Sequence, residues 1–488
     1  MWLAALLGLL ILGGLRFVLT PRTPLKRHRA VVVVGGDFAR SPRMQYHAVS
    51  LADCGLYDEV VCVGLDFGNK CCEGIQSRLA ANFANGRPPA GKGVITLSLY
   101  ASSGRRPDGN WVVSTAKRVL GFVYYFSRLV WSAIHSGLPT DMDAPVLFIQ
   151  TPPAVPFVPL VQLLILAQKC FRLVVGAFGL QTSPVLLSRK STSLVVDWHN
   201  FGFTLLAIDR RPKPIVWLYK TLERYACAGS INLTVSGAMK QVLSGQGAER
   251  KEGFRLTPSS VTVVPDTAPA FFSPCSRREF IDEVVVARKS IQPPAWFMAA
   301  DRERGLVLVS STSWTADDDY TMLVDSLKAV DGPGLAMPIW VVVSGKGETR
   351  AVFEKQIQSA NLSSKIQVDT VYFQNFKDYA RMLGVADAGI SLHKSSSGWD
   401  LPMKVVDMFG CGLPVMAVDY PALGELVTSE CGWVFDTTAE MTSIIKVIAD
   451  PAKGPAVINT KKEYVAKHRA AKWDATWTRA VVPLLKAL

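Results

Sequence analysis

The stretch from His393 to Val415 combines residue types and spacings that suit the binding of a diphosphate. Its three consecutive serines, Ser395, Ser396 and Ser397, follow a short apolar run that predicts a strand, and a helix is predicted to start near Pro402. Hydroxyl groups, backbone N–H groups and the positive end of a helix would then surround one point. The serines by themselves are weak evidence, since serines in such loops often do no more than cap the helix.

Charged residues strengthen this candidate donor site. Lys404 in the predicted helix offers a cation to a diphosphate, and Asp407, one to two turns further on, can accept hydrogen bonds from ribose hydroxyls. Asp400 lies between the serines and the helix. Lys346, in a Gly-Lys-Gly turn after another predicted strand, offers a second cation, although such turns are common. With these charges added, the sequence predicts a nucleotide-sugar site.

Polar residues also follow two strands predicted in the first half of the chain. Arg40 and Arg43 come after the predicted strand Ala30–Val34, where they could clamp a second diphosphate or could be solvated surface arginines. His199 comes after the predicted strand Leu194–Asp197. It is either a core or capping histidine or a polar group aimed at a reacting sugar.

Strands and helices alternate along the chain, and this alternation would position the polar residues. Short apolar, β-branched runs recur with helical stretches between them, which predicts an α/β fold of two Rossmann-like domains facing each other. Such domains bind ligands at the carboxyl ends of their strands. The predicted regions are an acceptor- and membrane-facing domain (30–265), a connection (266–304), a donor-binding domain (305–465) and a C-terminal helix (466–488) that could pack back on the first domain.

Several apolar blocks point to a membrane. Met1–Thr20 is interrupted only by Arg16 and is followed by basic residues, which favours an uncleaved transmembrane signal-anchor over a cleaved signal peptide. Val119–Ile134 and Val155–Ala167 are shorter, and predict either helices that dip into the bilayer surface or buried core helices. The net charge of +13 suits anionic headgroups or a diphosphate-bearing ligand.

Composition and motifs argue against several other partners and cofactors. No nucleic-acid recognition motif accompanies the basic charge, so no nucleic-acid partner is expected. The nine cysteines contain no CxxC pair, which gives no indication of a zinc site or a disulfide framework. The acidic run Asp317–Asp319 is interpreted as a solvated helix start. We therefore predict no metal and no other cofactor.

Four segments together resemble one family, the chitobiosyldiphosphodolichol β-mannosyltransferases of the dolichol-linked oligosaccharide pathway. They are Gly36–His47, Asp197–Asn200, Ser310–Thr315 and Ser395–Gly410. The resemblance implies a GT-B fold, GDP-mannose as donor and dolichol-diphosphate-linked chitobiose as acceptor. It also implies an anchor in the endoplasmic reticulum membrane, cytosolic catalytic domains and association with other mannosyltransferases of the pathway.

The sequence departs from related enzymes at two points. GT-B enzymes that retain the donor's anomeric configuration carry two glutamates eight residues apart in this region, whereas Asp407 aligns with the second and Trp399 falls at the first. The resembled family inverts the configuration, so the pair is not required. Residues 171–193 look like an insertion of unknown role.

The resemblance implies an inverting β-1,4 transfer of mannose. Such a reaction needs a general base for the acceptor hydroxyl and positive charge at the leaving diphosphate. Asp37, His199 and Asp400 are the candidate bases, and the sequence does not rank them. Arg40 and Arg43 would hold the acceptor diphosphate close to the membrane. A later α-mannosyltransferase of the same pathway and a non-catalytic, membrane-tethered scaffold subunit are the alternative functions.

Overall fold

The computed structural model describes residues 28–85, 92–101, 146–163, 165–166, 170, 192–246, 254–289, 291–299, 305–314, 318–395, 397–469 and 472–488. The predicted anchor Met1–Thr20, the block Val119–Ile134, most of the insertion 171–193 and Ser396 lie outside these residues. Within the described ranges, none of the helices has the length and apolar character needed to span a bilayer.

The described residues form strands in two parallel sheets. The strands are β1 Arg29–Asp37, β2 Glu59–Asp66, β3 Val94–Ala101, β4 Val146–Thr151, β5 Ser193–Trp198, β6 Ile231–Thr234, β7 Val261–Val263, β8 Leu306–Thr312, β9 Ile339–Gly345, β10 Ile366–Val371, β11 Ala388–Ser391, β12 Val415–Val418 and β13 Gly432–Phe435. Their order is β3-β2-β1-β4-β5-β6-β7 in one sheet and β10-β9-β8-β11-β12-β13 in the other. Both orders are those of doubly wound, Rossmann-type sheets, which confirms the predicted α/β fold of two Rossmann-like domains. That the two domains face each other stays a prediction, as does the transmembrane helix.

Helices connect most of these strands. They are α1 Pro42–Asp53, α2 Glu73–Asn85, α3 Gly202–Ile208, α4 Lys213–Ala226, α5 Gly237–Leu243, α6 Arg277–Phe280, α7 Ala295–Met298, α8 Thr321–Val330, α9 Arg350–Ser359, α10 Phe376–Val385, α11 Met403–Gly410, α12 Thr438–Ile448, α13 Gly454–His468 and α14 Trp473–Lys486. A π-helix covers Ile281–Val286, and short 3₁₀ turns cover Phe38–Arg40, Pro258–Ser260 and Leu423–Glu425.

The chain divides into two compact units, Met1–Val195 and Val196–Leu488. This division falls within β5, so the predicted domain boundaries at 265 and 305 stay predictions, as does the packing of the C-terminal helix.

The second sheet is buried on both faces. Along β8, Leu306 and Leu308 belong to one apolar cluster, while Val307 and Val309 belong to the other. Successive side chains of a strand point to opposite faces, so an unbroken apolar run is what a sheet covered on both faces requires. Each such side chain contributes roughly 1.5–3 kcal/mol when it is fully buried.

The apolar block Val155–Ala167 belongs in part to the core of the first unit. Residues 157–163 are helical, and Phe157, Val158 and Val161 are buried. Leu163 and Leu166 are exposed. The core-helix alternative therefore holds for the beginning of this block.

Glu223 is a fully buried carboxylate of α4 that caps the neighbouring helix α3. Its two oxygens accept hydrogen bonds from the N–H groups of Gly202 (2.9 Å) and Phe203 (3.2 Å). Burial raises the pKa of Glu223 to about 7, although these two hydrogen bonds favour the charged form. A buried carboxylate with this pKa links the stability of the fold to pH.

We expect the protein to lose stability as the pH rises from about 4.5 to about 7, because the folded state holds its proton on Glu223 more tightly. The loss amounts to at most about 3 kcal/mol above pH 7. Glu223→Gln removes the titrating group but leaves one acceptor oxygen for the two N–H groups, so its melting temperature should lie below the wild type's at pH 5 and should not fall between pH 5 and pH 8 as the wild type's does. Glu223→Ala should be less stable at both pH values by about 1–3 kcal/mol. Equal pH dependence in wild type and Glu223→Gln would contradict this assignment.

Candidate active site

The second sheet reverses its strand order beside β8, and the predicted donor residues of the serine loop and α11 follow β11 at this reversal, whereas Lys346 follows β9. β8 pairs with β9 on one side and with β11 on the other. The Ser310 hydroxyl on β8 donates to the Ile390 carbonyl of β11 at 2.8 Å, which ties the two strands together. Crevices beyond the carboxyl ends of such strands are where doubly wound sheets bind ligands.

Asp318 is the charged centre of this region. Its side chain is 2 % exposed and accepts hydrogen bonds from Thr312 Oγ1 (2.6 Å) and Lys404 Nζ (3.0 and 3.3 Å). His393 Nδ1 lies 3.6 Å away. Burial by itself would raise the pKa of Asp318, but the hydrogen bond with His393, the charge of Lys404 and the Thr312 hydroxyl together lower it to about 2. Asp318 is therefore an anion that holds Lys404 in place.

The interpretation of Asp317–Asp319 as a solvated helix start was wrong for Asp318 and correct for Asp319. The Asp319 carboxylate accepts the N–H of Thr321 at 3.1 Å, at the start of α8. The Asp318 side chain instead points into the protein, where it binds Thr312 and Lys404, and an isolated bridge pairs its backbone with that of His393. Asp317 lies outside the described residues.

The serine loop is organised around Asp400. The hydroxyls of Ser395 and Ser397 both donate to the Asp400 carboxylate, the second at 2.8 Å. Those hydroxyls also accept the N–H groups of Gly398 (2.8 Å) and Trp399 (3.3 Å). Gly398 has a φ of +80°, which other residues rarely adopt, so a glycine completes the turn. Of the three serines predicted to bind the donor, Ser395 and Ser397 therefore donate to Asp400 instead, and Ser396 lies outside the described residues.

Asp407 lies within α11, whose start after Pro402 is as predicted. Desolvation raises the pKa of the Asp407 carboxyl well above its usual value, and the negative charge of Asp266 adds to the shift. Asp407 in turn contributes, after burial, to the raised pKa of Tyr379, whose hydroxyl donates to Ser311 Oγ at 3.0 Å. The residue keeps partial exposure, and within the described part of the chain no group donates a hydrogen bond to its carboxylate. It is a desolvated acceptor that a ligand could satisfy.

Lys346 is exposed, and its ammonium group lies 5.9 Å from the centre of the Tyr372 ring. The glycines beside it hold the turn against the segment that follows β8. A Cβ on Gly345 would meet the Thr312 carbonyl oxygen at 1.9 Å, and one on Gly347 would meet that of Ser313 at 2.1 Å. The glycines are thus required by close backbone approach, while Lys346 itself is free to move.

His199 is held by a carboxylate. Its Nε2 lies 2.6 Å from Oδ2 of Asp197, which is fully buried at the end of β5. The imidazole is 20 % exposed, and the next residue, Asn200, reaches Asp400 with an Nδ2–Oδ1 distance of 3.5 Å. Sequence reasoning missed the role of Asp197, although its spacing from His199 at a strand end was a usable signal. The pair can orient an imidazole for proton transfer.

In the first unit, the predicted residues follow β1. The Asp37 carboxylate accepts the N–H of Ala39 (3.0 Å) and the side-chain amide of Asn69 (2.5 Å), and Nε of Arg40 lies 3.7 Å away. The Arg40 side chain is 77 % exposed, whereas Arg43 is buried. The surface alternative is therefore wrong for Arg43. Roles for these residues in acceptor binding stay predictions.

The fold and this site define a class of enzyme. Residues 303–468 match the family model described as "Glycosyl transferases group 1". The structure of HepE from Anabaena in complex with UDP and glucose superposes with a TM-score of 0.57, at 14 % identity, over 94 % of this chain and 100 % of that one. The chain is a glycosyltransferase with a GT-B fold.

Full-length relatives identify the family within this class. The chitobiosyldiphosphodolichol beta-mannosyltransferase of Yarrowia lipolytica is 33 % identical, over 94 % of this chain and 86 % of that protein. The protein of the same name from Homo sapiens is 31 % identical, over 99 % and 97 %. The chain therefore belongs to the chitobiosyldiphosphodolichol beta-mannosyltransferase family.

Proposed function

We propose that the protein transfers mannose from GDP-mannose in β-1,4 linkage to di-N-acetylchitobiosyl-diphosphodolichol, at the cytosolic face of the endoplasmic reticulum. Several of its relatives, from yeasts, human and mouse, are named for action on this acceptor, which disfavours a later α-mannosyltransferase and a non-catalytic scaffold. The structural observation that carries the proposal is the desolvated Asp407 carboxylate. Within the described residues, no group donates a hydrogen bond to this carboxylate. It lies at the reversal of strand order where Asp318 also holds Lys404 in place. This combination suits a ribose and a diphosphate.

The same contacts suggest roles for the reacting groups. Lys404 would neutralise charge on the leaving GDP, and Asp318 would keep it there. Among the candidate bases, Asp400 is engaged with the serine loop and Asp37 with a helix cap. His199, partly exposed and oriented by Asp197, is best arranged to take the proton of the attacking sugar hydroxyl.

The function is tested with the purified full chain, radiolabelled GDP-mannose and lipid-diphosphate chitobiose. We expect a singly mannosylated lipid product that releases its label on digestion with β-mannosidase. Radiolabelled UDP-glucose should not label the acceptor. Unlabelled UDP-glucose, supplied as a competing donor, should not slow transfer from GDP-mannose. A product resistant to β-mannosidase, or transfer from UDP-glucose alone, would refute the proposal.

The assignment of Asp407 is tested in the same assay with Asp407→Asn. Replacement of one of the two acceptor oxygens for ribose hydroxyls by an amide nitrogen should raise the KM for GDP-mannose about 10- to 100-fold. The variant should also lose most of the rise in melting temperature that GDP gives the wild type. Asp325→Asn, at an exposed carboxylate of α8, is the matched control and should behave as wild type. Unchanged KM and unchanged stabilisation by GDP would remove Asp407 from the site.

A further inference from the structure

Helix α4 turns an apolar face outward. Ile215, Leu218, Leu222 and Tyr225 follow one another at spacings of three, four and three residues, which places them on one stripe of the helix. They are 53 %, 53 %, 38 % and 60 % exposed, and Trp217 beside them is 67 % exposed. Large apolar side chains exposed together in this way mark an interaction surface.

The opposite side of α4 is the one that packs against the protein. Glu223 caps the start of α3 from that side, and Tyr219 lies against Gly202, where an added Cβ would meet its hydroxyl at 2.4 Å. Helix α3 adds two further exposed apolar residues, Leu205 and Ile208. The exposed apolar residues of α3 and α4 form what we call the α3–α4 patch. Both helices are already docked through other contacts, so the patch is not needed to hold them.

Positive charge surrounds the patch. Arg210 and Arg211 are exposed in the turn between the two helices, and Lys213 is exposed at the first position of α4. Residues 205–226 contain two acids, and one of them, Glu223, is buried, which leaves Asp209 as the exposed acid of this segment. A row of apolar and aromatic side chains with a basic rim is complementary to a surface that is apolar inside and anionic at its edge.

We propose that the α3–α4 patch lies in the headgroup region of a bilayer that contains anionic lipids. Trp217 and Tyr225 are the residue types enriched at membrane interfaces, and the aliphatic residues between them would enter the acyl boundary. The three basic residues would meet lipid phosphates. Contact with the bilayer does not depend on the sugar chemistry. Its use, to present the protein to an acceptor that is carried in the same membrane, rests on the proposed function.

The readout has to be local, because the predicted anchor at Met1–Thr20 could bind vesicles without the patch. The full chain is reconstituted into phosphatidylcholine–phosphatidylserine vesicles with and without brominated acyl chains, and quenching of tryptophan fluorescence is recorded. Replacing Trp217 with phenylalanine should remove a large part of the quenched signal. Trp433→Phe, at a partly exposed tryptophan of β13, is the matched control and should leave the quenched signal unchanged. Equal quenching in wild type and Trp217→Phe would overturn the proposal, whether or not the protein is active.

A second arm links the patch to activity. The double variant Leu218→Ser with Leu222→Ser should lower transfer to acceptor in vesicles about ten-fold or more. Each reversal of charge at Arg210, Arg211 or Lys213 should lower the transfer of mannose about five-fold, and only in anionic vesicles. Transfer to a water-soluble, short-chain acceptor should not change, and Val447→Ser on α12 serves as the exposed control.

The two experiments distinguish failure of the membrane proposal from failure of the proposed function. Absence of transfer in every variant and in the wild type, together with Trp217 quenching, would refute the proposed function and leave the membrane surface intact. Concentration-dependent dimerisation of lipid-free protein that Leu218→Ser abolishes would assign the patch to a second copy and overturn the membrane proposal. Equal loss of transfer to the vesicle-bound and the water-soluble acceptor would also count against the membrane proposal, since such a loss would indicate that the substitutions damage the fold.

Discussion

Lys404→Ala is expected to lower the rate of sugar transfer about 100- to 1000-fold, which is the usual cost of removing a preorganised positive donor from a developing negative charge. The ammonium group of Lys404 is held 3.0 Å from Asp318 and is 20 % exposed, so its position is fixed before a donor binds. Under the proposed function, this cation would neutralise charge on the leaving diphosphate. The loss should appear mainly in kcat, measured with saturating GDP-mannose.

Lys394→Ala is the matched control, because Lys394 lies in the same loop region but is exposed and pairs with Asp436. It should retain transfer close to the wild type. If Lys404→Ala and Lys394→Ala are equally active, Lys404 has no role at the diphosphate. Asp318→Asn should give an intermediate loss of about ten-fold, since Lys404 remains but is no longer held by a full charge.

For Asp318→Asn we also predict a change in the stability of the fold, which is independent of activity. The pKa of Asp318 is lowered in the folded protein, so the stabilisation is present above about pH 4 and is lost as the pH falls to about 2. The variant should therefore be less stable at pH 7 by about 2 kcal/mol and gain relative to the wild type in acid. Melting temperatures at pH 7 and in acid measure the difference.

The local parts of the site could be predicted from the sequence, because they depend on residues close together in the chain. The run from the strand β11 through the serines to helix α11 is one such unit, and its strand, turn and helix are where the sequence places them. The importance of Asp318 could not be predicted in this way. It contacts Lys404, which is 86 residues away, and only the pairing of β8 with β11 brings the two together.

Exposure is the other property that spacing does not determine. Arg40 and Arg43 are three residues apart and look equivalent in the sequence, yet one is exposed and the other buried. The apolar residues of helix α4 recur at helical spacing, a pattern typical of a core-facing side, yet they are exposed. Only the cap that Glu223 makes to α3 shows that a different face of α4 packs inward.

His199→Ala should lower kcat about 10²- to 10⁴-fold while the KM for GDP-mannose and the stabilisation by GDP stay close to the wild type. The Asp197 carboxylate would accept the Nε2 proton across the 2.6 Å contact, and Nδ1 would then be the atom that takes a proton from the acceptor sugar. Asp197→Asn should disturb that arrangement and give a smaller loss, again in kcat.

Two further measurements distinguish a base from a residue that only supports the fold. Added imidazole should restore part of the activity of His199→Ala, since the missing group can be supplied from solution, whereas a structural defect would not respond. Asp400→Ala should instead raise the KM for GDP-mannose, because Ser395 and Ser397 lose the carboxylate that orders them. Were His199→Ala fully active and Asp400→Ala reduced in kcat alone, the base would be Asp400. His199 would then serve only to hold the end of β5.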